Sequence, residues 1–135
     1  MKIRPLTERE IPGVLELWKA ADASPTVTDT LEDISRLLQR EYARFLVAEI
    51  DGKIVGSIIA TFDGWRGIVY RLAVDPAHRR EGIASDLTKK AEESFAQWGV
   101  RRVIAIVDPT HPHAVSFWKA SGYINDGLTR FYKNL

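Results

Sequence analysis

Between Gly67 and Val107 the chain reads strand, helix, strand, with sharp punctuation at each joint. Gly67 to Val74 is a strand stopped at Asp75-Pro76. Gly82 to Trp98 carries Ile83, Leu87, Ala91, Phe95 and Trp98 at helical spacing, and Gly99 closes it as a C-terminal cap. Val103 to Val107 is a continuous apolar run, as expected of a buried strand after a crossover helix, and Asp108-Pro109 ends it. Two strands joined by one helix predict a right-handed crossover with the strands parallel. That prediction also locates a ligand. Open α/β sheets bind at the carboxyl ends of their strands, where the loop Asp75 to Ala84 lies.

The rest of the chain builds a meander in front of this crossover. Lys2 to Leu6 reads as a first strand. Thr7-Glu8-Arg9-Glu10 matches a capping box, with Glu10 placed to reach back to Thr7. The helix behind it puts Ile11, Val14, Leu15, Trp18 and Ala21 on one face. Ser24-Pro25-Thr26 breaks it, and a second helix starts near Asp29, burying Leu31, Ile34 and Leu38. Phe45 to Ile50 and Lys53 to Phe62 form a hairpin around Asp51-Gly52. In the return strand both faces are apolar, which predicts cover on both sides. Asp63-Gly64 turns the chain into the strand at Gly67. After the crossover, His113 to Ser121 is a short helix closed by Gly122, and Tyr123 to Leu135 adds one or two strands around Asp126-Gly127. The expected fold is α/β in the α+β sense: a mixed, mostly antiparallel sheet of six to seven strands, in the order β-α-α-β-β-β-α-β-α-β. No repeat or linker interrupts residues 1–135, so a single domain is expected.

Composition narrows the function. A net charge of +1 provides no general field for nucleic acid or an acidic membrane, so neither is expected as a partner. The absence of cysteine excludes disulfides, thiolate metal sites and a cysteine nucleophile. His111 and His113 stand together without a carboxylate at ligand spacing, and no metal is expected. The first ten residues contain no apolar run and no segment has the length of a membrane span. A cytoplasmic location is therefore expected.

The loop after Asp75-Pro76 carries the chemistry. A helix that opens at Gly82 offers unpaired backbone N–H groups, and Arg79 and Arg80 stand beside it. Glycine at 82 and alanine at 84 allow a pyrophosphate to approach the backbone closely. Neither G-x-G-x-x-G nor G-x-x-x-x-G-K-S/T is present, so the signal is a phosphate-binding helix start of another kind. The string L-x-V-D-P-x-x-R-x-x-G-I-A over Leu72 to Ala84, followed by A-x-x-F-W-K-x-S-G-Y over Ala114 to Tyr123, resembles the GNAT family of acyl-CoA N-acetyltransferases. The resemblance covers the chain in element order and is specific from about Tyr70 to Tyr123. The D-G-W-R-G stretch is similar to that of small bacterial members without an assigned substrate.

What the resemblance implies is an acetyl-CoA-dependent N-acetyltransferase, with acetyl-CoA as cosubstrate. The fourth and fifth strands would splay. Leu72, Ala73 and Val74 would pair with the pantetheine arm, and the pyrophosphate would lie on Arg79, Arg80, Glu81, Gly82, Ile83, Ala84 and Ser85. The acceptor would be a small-molecule amine or a protein N-terminus or lysine. Acceptor choice would fall to about Ala21 to Asp33 and Asp63 to Gly67; Asp22, Asp29, Glu32 and Asp33 there would either favour a cationic amine or be the ordinary acidic N-terminus of the second helix, the reading preferred. Dimers are common among relatives, so the resemblance allows a homodimer without fixing the oligomeric state.

One departure stands out. The family pattern N-x-x-A-x-x-F-Y has its tyrosine as the acid, whereas this chain has His111 at the asparagine position and Trp118 at the tyrosine position. An indole N–H donates a hydrogen bond but is no practical proton source. Tyr70, His111 and Tyr123 are the candidates left for proton transfer, with Asp63 and Asp108 as turn residues that a base role would also suit. A non-catalytic acyl-CoA sensor or regulatory module is the alternative that Trp118 favours. Trp65, between Gly64 and Arg66, is the tryptophan expected at the surface.

Overall fold

In the computed structural model, which describes residues 1–135, β1 (Lys2–Pro5), β2 (Ala43–Ile50), β3 (Lys53–Phe62), β4 (Gly67–Val74) and β5 (Val103–Ala105) lie side by side in that order in one sheet. The chain divides into two units, residues 1–104 and 105–135. The first contains α1 (Ile11–Ala20), α2 (Leu31–Leu38) and α3 (Ile83–Gln97), and the second contains α4 (Pro112–Ala120). The pairs β1–β2, β2–β3 and β3–β4 are antiparallel. β4 and β5 begin together: the Gly67 N–H donates to the Arg102 carbonyl at 3.0 Å, across the crossover made by α3. No helix is long and apolar enough to cross a membrane.

Local chemistry explains most joints. Glu10 reaches back to the Thr7 N–H at 3.0 Å, as the capping box predicts, and a short 3-10 turn leads into α1. Arg4 closes this corner by pairing with both Glu10 (2.6 Å) and Glu49 (2.8 Å), which joins β1, the turn and β2. The β2–β3 hairpin turns on Asp51 and Gly52, both at positive φ.

β3 is buried from Val55 to Ala60, so it is covered on both faces as its sequence predicts. On one face Gly56 lets α3 come close: a Cβ at residue 56 would lie 2.9 Å from the Ile83 side chain and 3.0 Å from that of Leu87. On the other face lies the core of Ile11, Val14, Trp18, Ile34 and Phe45.

Three expectations need correction. The sheet has five strands, not six or seven, and residues 123–135 form none. The turn at Asp126-Gly127 does form, with the Leu128 N–H on Asp126 Oδ1 at 3.1 Å. A turn motif specifies a reversal, not the pairing on either side of it, and Ile124 and Phe131 are exposed. β5 is shorter than Val103 to Val107 and is not buried, because it has a neighbour on one side only; Ile104 is 39% exposed. In α2 the apolar stripe starts one turn late. Thr30 caps that helix by accepting from the Asp33 N–H, Leu31 is exposed, and Ile34 is the buried residue.

Candidate functional site

The sheet register slips within β4. Ser57 faces Ala73 and Ile59 faces Tyr70, so Arg71 and Leu72 share the single place opposite Ile58. This is a β-bulge, and Arg71 occupies it with a φ of 53°, in the left-handed region that few residues other than glycine adopt. Side chains from β3 and α1 hold it there. The Ser57 hydroxyl donates to the Arg71 carbonyl at 2.8 Å and accepts from Trp18 Nε1–H at 2.9 Å. Both Ser57 and Trp18 are buried. The Arg71 guanidinium lies 4.8 Å from the Trp18 ring centre, and its Nη2 donates to both oxygens of Asp29 (2.7 and 3.0 Å) and to the Ser24 carbonyl (3.0 Å).

Ser57, Trp18 and the Arg71 side chain are the residues that sequence reasoning passed over. One signal was available. A serine inside V-G-S-I-I-A must find a partner for its hydroxyl if that strand is buried.

Beyond the bulge, the predicted cofactor residues follow in one run. Ala73 packs into the core, so its backbone is what it offers a ligand. Asp75 stops the strand. Its carboxylate accepts the Ala77 N–H at 2.9 Å, which with nearby Lys53 holds it below the ordinary aspartate range. Arg80 and Gly82 then adopt φ values of 63° and 82°. No atom lies within 4 Å of where a Cβ on Gly82 would be, so this backbone is open. α3 begins at the next residue, and the first N–H groups of a helix have no intrahelical partner. Arg79 and Arg80 are exposed. Ile83 is buried by its side chain, which leaves only its N–H for binding, and the Glu81 carboxylate meets His78 Nδ1 at 3.1 Å.

The candidates for proton transfer are divided between the two units. Tyr70 sits on β4 beside the bulge and is 37% exposed. His111 and Tyr123 belong to the second unit. His111 Nε2 lies 3.6 Å from Asp108 Oδ2. Tyr123 packs edge-on to the buried Trp118, with ring centres 4.6 Å apart. Asp108 accepts the Thr110 N–H and hydroxyl, and Asp63 accepts the N–H groups of Arg66 and Trp65. These bonds lower the pKa of both aspartates and make them turn clamps, weaker bases than free carboxylates. Trp65 is 73% exposed, as expected, with the Arg66 guanidinium 3.8 Å from its ring centre. In the acidic stretch, Asp29 is matched by Arg71, and Asp33 by Thr30 and Arg36. No cluster of three or more His, Asp or Glu residues suited to a metal ion forms.

Comparison with known proteins bears on the family and the fold. A model of the acetyltransferase (GNAT) family matches residues 12–123. Among solved structures, aminoglycoside 6'-N-acetyltransferase AAC(6')-IG from Acinetobacter haemolyticus superposes with a TM-score of 0.82 at 23% identity, covering 100% of this chain and 99% of that one. AAC(6')-Iy in complex with the bisubstrate analog CoA-S-monomethyl-acetylneamine gives 0.80 at 19% identity, covering 99% and 97%. A transcriptional regulator from Bacillus halodurans C-125 also gives 0.80, at 20% identity, covering 97% and 99%. At these identities the structural likeness establishes a shared fold.

Proposed function

The chain belongs to the GNAT family of acetyltransferases, and from that premise we propose that it is an acetyl-CoA-dependent N-acetyltransferase acting by direct transfer to a primary amine. The observation that carries the reading is the continuous run from bulge to helix start, Arg71 to Ser85. The family match crosses the junction between the two units, which supports reading residues 1–135 as one acetyltransferase domain.

The residues fit the cosubstrate in kind. An open backbone with positive φ at Arg80 and Gly82, followed by the N-terminus of α3, suits a pyrophosphate. Arg79 and Arg80 would balance its charge, while Glu81 is turned to His78. Leu72, Ala73 and Val74 would pair with the pantetheine arm through their backbone. The cosubstrate supplies an activated acetyl thioester, and the thiol it leaves has an ordinary pKa of about 8.5. A backbone N–H of the bulged strand would stabilise the oxyanion formed when the amine attacks. The amine must be neutral to attack, so Tyr70, His111 or Tyr123, or a water held by one of them, would take its proton. Trp118 supplies no proton, so the thiolate would depart unaided or with one of these tyrosines as acid.

A second reading, an acyl-CoA-binding sensor that does not turn over, rests on the buried Trp118 at the family's tyrosine position. One experiment separates the two. Purified protein is given acetyl-CoA and a panel of small amines and peptides while free thiol is followed. Amine-dependent release supports the enzyme, and which amines work separates a small-molecule acceptor from a protein one. Tight acetyl-CoA binding with no release across the panel supports the sensor.

A further inference from the structure

We propose that Arg71 is a positioning residue, a latch that ties the segment between α1 and α2 to the bulge of β4. The inference rests on reading β4 as the strand that receives the cosubstrate.

The segment from 21 to 30 contains neither helix nor strand, so its shape depends on side-chain contacts. Those contacts converge on one carboxylate. Asp29 accepts the Thr26 N–H (2.9 Å) and the Thr26 hydroxyl (3.0 Å), and Arg71 then grips both of its oxygens. The same guanidinium nitrogen takes the Ser24 carbonyl, at the other end of the segment. The Trp18 ring contacts both the Arg71 guanidinium, 4.8 Å from its centre, and the Phe45 ring, stacked at 5.8 Å. The side chains of Arg71 and Asp29 are 17% and 19% exposed, so salt screens the pair less than it would a surface pair.

Backbone geometry gives the latch its direction. A bulge re-aims the side chain at its extra residue, and here it delivers the arginine to Asp29 while the carbonyl of that same residue is held by Ser57. One residue therefore joins two structures. Its main chain belongs to the strand where the pantetheine would pair, and its side chain belongs to the segment that would face the acceptor. A ligand that settles on the β4 backbone bears on residues 24–29 through Arg71, and by linkage an acceptor held by that segment bears on β4.

The latch also reassigns the acidic stretch. Asp29 is already neutralised by Arg71, so its role is to shape the acceptor side and not to bind a cationic amine.

The test uses the whole chain and two variants. Arg71→Asn removes the guanidinium while keeping a residue that tolerates left-handed backbone. Asp29→Asn removes only the charge. Hydrogen–deuterium exchange is read over residues 21–30 and over α3, with and without acetyl-CoA, alongside steady-state kinetics on an amine from the panel. Each variant is expected to speed exchange over 21–30 by about tenfold and leave α3 unchanged, as loss of a charge-assisted hydrogen bond predicts. Acetyl-CoA should slow exchange over 21–30 in the wild type and not in the variants. The acceptor KM should rise about tenfold with kcat within about twofold, the double variant should be no worse than either single one, and Arg71→Lys should restore part of the loss. Unchanged exchange over 21–30 in both variants overturns the latch, as does strict additivity in the double variant. If wild-type protein binds no acetyl-CoA, the cosubstrate reading falls, and the ligand-free exchange still decides the latch alone.

Discussion

At its bulge, β4 is held by side chains that arrive from other elements; at its carboxyl end it is held by the torsions of its own backbone and a capping carboxylate. Trp18, Ser57 and Asp29 come from α1, β3 and the segment before α2. The other end rests on the Asp75 N–H bonded to the Val55 carbonyl, the Asp75 cap, a positive φ at Arg80 and Gly82, and the start of a helix. The two designs should fail differently. A side-chain brace fails when one atom is deleted, with loss of stability. A backbone cradle tolerates deletions nearby and fails when something is added in its path.

The sharpest break is Gly82→Asp. The space around Gly82 is empty and aspartate tolerates a positive φ better than most residues, so the chain should fold at a cost of about 1–2 kcal/mol, but a carboxylate would face the pyrophosphate. Like charges brought together cost several kcal/mol, so acetyl-CoA affinity should fall by roughly 100-fold or more in calorimetry. Normal affinity in a folded Gly82→Asp protein would remove the loop from the site.

Ser57→Ala should act on the other end in the opposite way. It leaves the buried Trp18 N–H without an acceptor and the Arg71 carbonyl without its donor. Denaturant unfolding should show a loss of about 2–3 kcal/mol. Acetyl-CoA affinity should change less than in Gly82→Asp.

The Arg4–Glu10–Glu49 corner, away from both ends, is the control. Hydrogen bonds from Arg4, and from Thr7, hold Glu10 at a pKa of about 2, below its ordinary 4.5. Because the folded value is the lower one, its contribution is complete above about 4.5 and is lost as pH falls toward 2. Acid titration of stability should show this loss, and Glu10→Gln should flatten it at a cost of about 1–2 kcal/mol near neutral pH. Neither change should alter cosubstrate binding.

Lys53→Ala is the mildest test. Its ammonium reaches Asp75 at 3.5 Å from a largely exposed position, and such a pair is worth at most about 1 kcal/mol. The Ala77 N–H should keep Asp75 in place, so affinity and melting temperature should barely move.

The same contrast explains what could be read in advance. Glycine, proline and aspartate advertise backbone geometry, so the loop from Asp75 to Ser85, the Asp51-Gly52 hairpin and both edges of β3 were legible from residues alone. The bulge was not, because nothing at Arg71 announces a positive φ; it is imposed by Ser57 and Trp18, which lie 14 and 53 residues away in sequence. Nor did Asp29 announce its partner. It looked like one acid among four, and only the folded chain sets Arg71 against it. The tail failed for a related reason. Asp126-Gly127 correctly marks a turn, but strand formation there would need a pairing that local sequence cannot supply.

Gly56 has a consequence for the scale of the whole site. It stands on β3 opposite Val74, and on its other side the Ile83 and Leu87 side chains leave no clearance, at 2.9 and 3.0 Å from a would-be Cβ. The height of α3 above the sheet is therefore gauged by an absent methyl group. Any thicker shim would raise the amide groups of residues 83–85 away from the end of β4. The distance between the strand that would take the pantetheine and the donors that would take the pyrophosphate is thus a machined dimension, cut by a residue of the neighbouring strand.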